Sequence, residues 1–489
     1  MKPSTSKSLT DKLRTLYSSH NTLPKLIEDE KIKAQSLEEY YVKLQILLSE
    51  DDEAGKAALR DKVIGEKKPV EIEKIFKAID TEKKIRELLK KELPNKDDEI
   101  DNIVELLNEE KNEKKKFDIL RRNLPNKSES EIKNIAESIN RIQADVGKVL
   151  LLGSAGIGKT TLMHYLSYKW GKGNLWNDKF NYVFRIKLKE LLSNWTVRYG
   201  TGIDDDILSC FIHYCLDSKD IKLEDIKSIH DKDKVLLLLD GYDEVAFLSQ
   251  SNRDYRDIMD SVFQYKNIVM TSRSNAVVEE MSNRFERKVE NTGWDSEGIE
   301  QYVNKNFEYD KELGVQLKSF LDTHSQIKEI CEVPINTALI CLVWSDKDIR
   351  DKFQKNSNED FNISQLYHEV VSWLNNRHLE KTQNKYKNKT EANNHLKKQN
   401  EFFRTDSLRV ICCDREVSRE QSSRSKKDTL DIDEVIEQGL LRREGQNFQF
   451  IHLTFQEYLA ACYLKNQLAD NNTKYKAANF IGKHRNDPK

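Results

Sequence analysis

Gly153-Ser154-Ala155-Gly156-Ile157-Gly158-Lys159-Thr160 satisfies the spacing G-x-x-x-x-G-K-[ST] at every position. Glycines let successive backbone N–H groups turn inward around an α- and a β-phosphate, and a helix N-terminus behind the loop adds partial positive charge. Lys159 supplies a point charge for the β- and γ-phosphates, and the Thr160 hydroxyl is a ligand for Mg2+. Thr161 is either a second hydroxyl near the α-phosphate or an ordinary first-turn residue. Such a loop needs an acid from a neighbouring strand. In "KVLLLLDGYDEV", Asp240 ends a strand expected at Lys234 to Leu239 and would hold Mg2+ directly or through water. Asp243 and Glu244 follow on the turn, and either has the chemistry to orient or deprotonate an attacking water; spacing does not choose between them. "NIVMTSRS" puts Arg273 at the end of a further apolar run. Ligands of open α/β sheets lie outside the carboxyl ends of strands, so this arginine is placed to meet a γ-phosphate or to sense its loss. Taken alone, an acidic turn or a strand-end arginine is commonplace; paired with the glycine loop, each gains a role.

These residues need particular elements to hold them. From about 147 the chain shows short runs rich in Val, Ile and Leu, namely "KVLLLG", "NYVFRIKL", "KVLLLLD" and "NIVMTS", with helical stretches between. Strands covered by helices on both faces look like this. The alternation predicts an α/β P-loop core with a doubly wound parallel sheet, a strand over Lys148 to Leu152 and a helix over Thr160 to Trp170. Residues 1 to about 140 are charge-dense with apolar residues at helical spacing, which reads as helix after helix. Within them "EKKIRELLKKELPNK" aligns with "EKKKFDILRRNLPNK" at an offset of 31, a duplicated helical hairpin with Pro94 and Pro125 at turns or helix starts. Helical patterns return after about 294. The stretches 381–400 and 415–428 are polar enough for loops, and "LLRREGQNFQFIH" alternates around a glycine turn as a β-hairpin does, followed by the helix "TFQEYLAACYL".

The 489 residues suffice for roughly three domains. A formal net charge of -2, with 34% charged residues, gives no electrostatic excess directed at nucleic acid or anionic membrane. No signal-like N-terminus and no run of about 18 apolar residues is present, so a soluble cytoplasmic protein is expected. The seven cysteines form no CxxC pair and read as free thiols without a catalytic role.

The glycine loop, "LLLLDGYDE" and "TSR" in that order resemble the NACHT family, the STAND-class signalling ATPases that include NOD-like receptors and bacterial NACHT defence proteins. "CEVPINTALICLVW" is similar to the family's helical-domain segment, whose proline, here Pro334, lies against adenine; the family often has Gly where Glu332 stands. "FQFIHLTFQEYLAACYL" is similar to the family's winged-helix ending, whose histidine, here His452, contacts the β-phosphate of ADP. Outside that context Pro334 is a helix-start proline and His452 a core histidine. "SLEEYYVKLQILL" and "PVEIEKIFKAI" also resemble segments that precede the glycine loop in some NACHT proteins.

The resemblance covers roughly 147–489; behind the helical N-terminal region at 1–140 it implies a P-loop NACHT domain at 141–293, a helical domain at 294–350, a winged helix at 351–470 and the truncated start of a second helical domain at 471–489, with no sensor repeats expected in this sequence. It implies an ATP/ADP switch that binds Mg-ATP, hydrolyses it slowly and self-associates when active in innate-immune or defence-type signalling; an unknown protein partner is expected at the N-terminal region, whose role is open between an effector, an adaptor-binding bundle and an autoinhibitory arm. A nucleotide-stabilised scaffold without turnover is the first alternative, separated by measuring phosphate release. A winged-helix nucleic-acid-binding ATPase is the second; near-neutral charge and only Arg442 and Arg443 in the wing speak against it. A motor ATPase usually carries Glu directly after the strand-end acid, where Gly241 stands here.

Overall fold

The computed structural model describes residues 8–23, 35–48, 69–78, 81–94, 96–192, 206–216, 218–248, 252–355, 362–382, 440–444, 447–450 and 453–483. One sheet is built from β1 (Gln45–Leu48), β2 (Lys148–Leu152), β3 (Tyr182–Lys187), β4 (Val235–Asp240), β5 (Asn267–Ser272) and β6 (Arg287–Gly293). Their order is β1-β6-β2-β5-β4-β3, with β2 to β6 mutually parallel and β1 antiparallel to β6. The chain leaves β2 near the middle, reaches the far edge at β3, and steps back through β4 and β5 before crossing to β6. β2 is flanked by β6 and β5, and its carboxyl end lies on the rim at which doubly wound sheets bind their ligands.

All residues of β4 and β5 are buried, which is why their sequences run apolar without alternation. β6 reads "RKVENTG" and alternates buried with half-buried positions, so it lacks the apolar run that marks its neighbours. The helix Lys159–Gly171 follows β2 and begins one residue earlier than the sequence suggested. Its Leu162, Met163, Leu166 and Trp170 are buried in the main core.

The N-terminal segment departs from helix after helix. Helix Leu9–Ser19 buries Leu13 and Tyr17 in the same core as the sheet, with Tyr17 edge-on to Trp170 at 6.3 Å and its hydroxyl accepting from Arg185 N at 3.0 Å. Gln45–Leu48 is a strand that completes the sheet edge. The apolar spacing of "YYVKLQILL" suits a two-residue period as well as a helical one, and β6, supplying its hydrogen bonds, lies far away in sequence.

The duplicated hairpin is present as Thr81–Glu92 with Asp97–Glu109, and Glu113–Asn123 with Glu129–Gln143. Pro94 and Pro125 lie in the two turns. The hairpins close on each other around an aliphatic core of their own, centred on Ile85, Leu89, Leu107, Leu120 and Ile139. At the base of this bundle Val146 N donates to Phe76 O at 2.9 Å, so the chain leaves the α/β unit and returns to it at one neck.

Beyond β6 come the helices Ser296–Asn306, Lys311–Thr323, Ser325–Cys331, Pro334–Trp344 and Lys347–Lys355, then Ile363–Thr382. The expected hairpin is β7 (Leu441–Glu444) paired antiparallel with β8 (Asn447–Phe450), followed by helices Leu453–Ala469 and Lys474–Lys483. The polar stretches expected as loops lie outside the described residues, apart from 381 and 382 at the end of Ile363–Thr382, and so do Cys412 and Cys413. The five described cysteines are free thiols.

Candidate functional site

The loop from Gly153 to Gly158 joins the end of β2 to the N-terminus of Lys159–Gly171, where the phosphate-cradle spacing requires it. Gly156 and Gly158 both take left-handed backbone, with φ of 75° and 94°. At Gly156 a Cβ would also fall 2.5 Å from Ile335 Cγ2, so a side chain is excluded by conformation and by contact. The loop is braced from beneath. Gly153 N donates to Ser272 O at 3.1 Å, and the buried Asn291 amide donates to Ile157 O at 3.0 Å. Ile157 is buried, Ser154 and Thr160 are exposed, and Ala155 and Thr161 are half-buried.

Lys159 turns its ammonium back onto the loop, donating to Gly153 O at 2.8 Å and Ser154 O at 2.9 Å. Burial lowers its pKa, and the nearby Arg273 adds to this, against the attraction of Asp243, Asp240 and Glu244. An ammonium held mainly by carbonyl dipoles at a loop of inward-turning glycines suits a phosphate, whose charge offsets the cost of burying it.

Asp240 closes β4 and is buried, its Oδ1 accepting from Thr271 Oγ1 at 2.8 Å; that same threonine oxygen accepts from Gly241 N at 2.9 Å. Thr271 thus fixes the acid and the start of the following turn. Gly241 has φ of 83°, and a Cβ there would lie 2.8 Å from Glu244 Oε1, so the turn that brings Glu244 back toward the site needs glycine. The Glu244 carboxyl is pushed up to about 7 by burial and by Asp240 and Asp243, against the pull of Lys189 and Arg273. Arg273 follows β5 and sits beside the loop, because Ser272 is the register partner of Leu152. Its Nε lies 3.0 Å from Asp243 Oδ2 and its Nη1 2.6 Å from Glu457 Oε1. Burial works against its charge, but Glu457, Asp243 and Glu244 more than offset that and raise its pKa.

Pro334 stands at the first position of its helix, as a helix-start proline does. Its neighbours touch the loop directly: Ile335 N donates to Gly156 O at 3.4 Å. Segment 41–44 flanks the loop as well, with Leu44 against Gly158 and the Tyr41 ring stacked on Tyr165 of the loop's helix at 3.7 Å. His452 lies outside the described residues. The structure thus brings together the loop, Asp240, Asp243, Glu244, Arg273 and the Pro334 segment. Sequence reasoning missed Thr271, Asn291, Tyr41 and Glu457. Thr271 stood within the quoted "NIVMTSRS", and its hydroxyl one position before the strand end was the available signal.

Residues 148–310 match the family described as NACHT domain. This chain carries a NACHT domain. A NACHT domain is a nucleotide-binding P-loop NTPase unit, and the matched residues contain strands β2 to β6 and the glycine loop. Curated relatives include the "NACHT, LRR and PYD domains-containing protein 9" of Bos taurus, 33% identical over 106 residues that cover 22% of this chain and 10% of that protein. The "NACHT, LRR and PYD domains-containing protein 10" of Mus musculus is 26% identical over 226 residues, 46% of this chain and 31% of the relative. The chain therefore spans less than a third of the length of either. Among solved structures, the STAND protein with a tetratricopeptide repeat sensor from Pyrococcus horikoshii aligns over 69% of this chain and 46% of its own, at 15% identity and a TM-score of 0.29. No described helix is long and apolar enough to cross a membrane.

Proposed function

We propose that the chain is an ATP/ADP-dependent signalling switch. The observation that carries this reading is that one arginine, Arg273, lies beside the phosphate loop and reaches the helix Leu453–Ala469 through Glu457. A residue in that position couples the nucleotide site to a distant part of the chain. A second route supports it. The loop is bonded to the Pro334 helix, whose Asn336 accepts from Tyr367 Oη at 3.3 Å, and Tyr367 packs against Phe455 and Tyr458 of the same closing helix.

In this reading the backbone of Gly153 to Gly158 and the Lys159 ammonium hold the phosphates, and Pro334 lies toward the base. Thr160 and Asp240 would hold Mg2+, which would supply charge neutralisation at the phosphates. The donor set suits it: two oxygens of the hard type, one of them on an acid already oriented by Thr271. Glu244 takes the proton of an attacking water, and Asp243 orients Arg273. Glu244 is preferred as base because its pKa lies near neutrality, while Asp243 is committed to Arg273. His452 contacts the β-phosphate of ADP in the closed state. Hydrolysis is slow and resets the switch; in the ATP state the chain self-associates in a cytoplasmic, defence-type response, with the 81–143 bundle as the surface for a protein partner. Two states biased by one phosphate require different contacts in each, which Arg273 provides.

The test is calorimetric titration of ADP and Mg-ATP into nucleotide-stripped protein, with light scattering in each state. Binding of both, and larger particles with Mg-ATP than with ADP, is expected. Binding of both with no change in size would remove the switch and leave a nucleotide-stabilised scaffold.

A further inference from the structure

Two carboxylates hold Arg273, and they come from different parts of the chain. Asp243 belongs to the turn after β4, close to Arg273 in sequence. Glu457 lies 184 residues away on the closing helix, and its oxygen is only 2.6 Å from Nη1. The side-chain exposures are 19% for Arg273, 11% for Asp243 and 41% for Glu457, so Glu457 is the partner nearer to water and the easier of the two to displace. Asp243 has a second tie to the strand end, accepting from Arg273 N at 3.3 Å.

The guanidinium also belongs to the phosphate site. Gly153 N, which opens the loop, donates to the carbonyl of Ser272, the residue before Arg273. Lys159 and Arg273 repel each other across the same cluster of carboxylates. Any further negative charge bound between them competes with the acids already there, and like charges cannot both hold one face of a guanidinium cheaply.

We propose that Glu457 is a positioning residue that sets the nucleotide preference of the site. Its carboxylate occupies Arg273 as a third phosphate would, so the chain with this helix docked accepts a nucleoside diphosphate, and a triphosphate must displace Glu457 to gain the arginine. The inference rests on the nucleotide-switch reading and adds the group that competes with the γ-phosphate. Closing-helix docking and diphosphate binding are then mutually supporting, because both leave Arg273 to Glu457.

The experiment compares ADP and Mg-ATP affinities of the full chain and of Glu457→Gln by competition against a fluorescent nucleotide. Removing the charge while keeping the shape should shift the ATP-to-ADP affinity ratio about tenfold toward ATP, within the usual range of coupling between linked sites. Glu457→Asp keeps the charge and should lie nearer wild type. In an Arg273→Gln background the Glu457→Gln shift should vanish, since the two residues act as one unit. An unchanged ratio, an equal change in both affinities, or the same shift without Arg273 overturns the proposal. Wild-type protein that binds neither nucleotide overturns the switch reading itself, and the proposal with it; binding of both with an unmoved ratio sinks only the role of Glu457. Thermal melting of each variant checks that the fold is retained, and Glu457→Ala, which also removes the charge and suits a helix, must show the same shift toward ATP if Glu457→Gln loosens the helix.

Discussion

The bundle at 81–143 and the α/β unit that starts at Lys148 both pack amphipathic helices, yet they bury different chemistry. The bundle core is aliphatic, with Lys116 as its buried charged residue, and that ammonium donates to Asn140 Oδ1 at 3.1 Å near the helix end. The α/β unit buries Asp240, Thr271, Ser272 and Asn291 at or near the carboxyl ends of β4, β5 and β6, against Asn267 and Arg287 at the opposite ends of β5 and β6. Buried polar groups are costly unless paired, so their concentration at one rim of the sheet marks where the fold is arranged for a ligand. The bundle shows no such concentration, and its closed core makes it a module specified by apolar pattern alone.

The largest expected effect is at Lys159. Lys159→Ala removes the loop's ammonium and should abolish ADP and Mg-ATP binding, a loss of about 100-fold or more given the strength of charge-assisted phosphate contacts; calorimetric titration with unchanged affinity would defeat this. Next comes Glu244→Gln, expected to slow hydrolysis by roughly 10²- to 10⁴-fold, the usual contribution of a positioned base, while nucleotide binding persists. A base must be ionised to act, so wild-type turnover should rise with pH through about 7, and the variant should lose that rise. If instead Asp243→Asn abolishes the pH dependence and Glu244→Gln retains it, the base is Asp243. The same raised carboxyl has a stability consequence. The folded chain holds a proton that an unfolded glutamate releases near 4.5, so this contribution is full below that pH and is lost as pH rises through about 7.

Smaller effects sharpen the separateness of the bundle. Leu120 is fully buried there, and Leu120→Ala should cost about 2–5 kcal/mol of bundle stability in denaturant unfolding while leaving nucleotide affinity unchanged. A parallel fall in affinity would mean that the neck at Phe76 and Val146 transmits the damage. Smallest is Ser128→Ala. Ser128 caps Glu129–Gln143 by accepting from Glu131 N at 3.3 Å, and Glu131 answers by accepting from Ser128 N at 2.8 Å. Losing this capping box should cost roughly 1 kcal/mol, read as a lower unfolding midpoint confined to the bundle.

What the sequence disclosed follows the same division. The loop, the strand at Lys148 and the acids after β4 were legible because each depends on residues close in sequence. The duplicated hairpin was legible because its period is local, although sequence could not say that the two copies close on each other. β1 was missed because four residues carry no decisive period, and β6 because its half-buried polar face interrupts the apolar run. Glu457 was invisible as a site residue: within "TFQEYLAACYL" it is one acid on a helix, and only the fold brings it to Arg273. Thr271 was hidden inside a strand whose neighbours are apolar.

The most direct test of the switch is the nucleotide that the purified 489-residue chain carries. Denaturing the protein and separating what it releases by anion exchange should yield near-stoichiometric ADP from wild type and none from Lys159→Ala. An empty wild-type site, or the same nucleotide content in both proteins, would contradict the account.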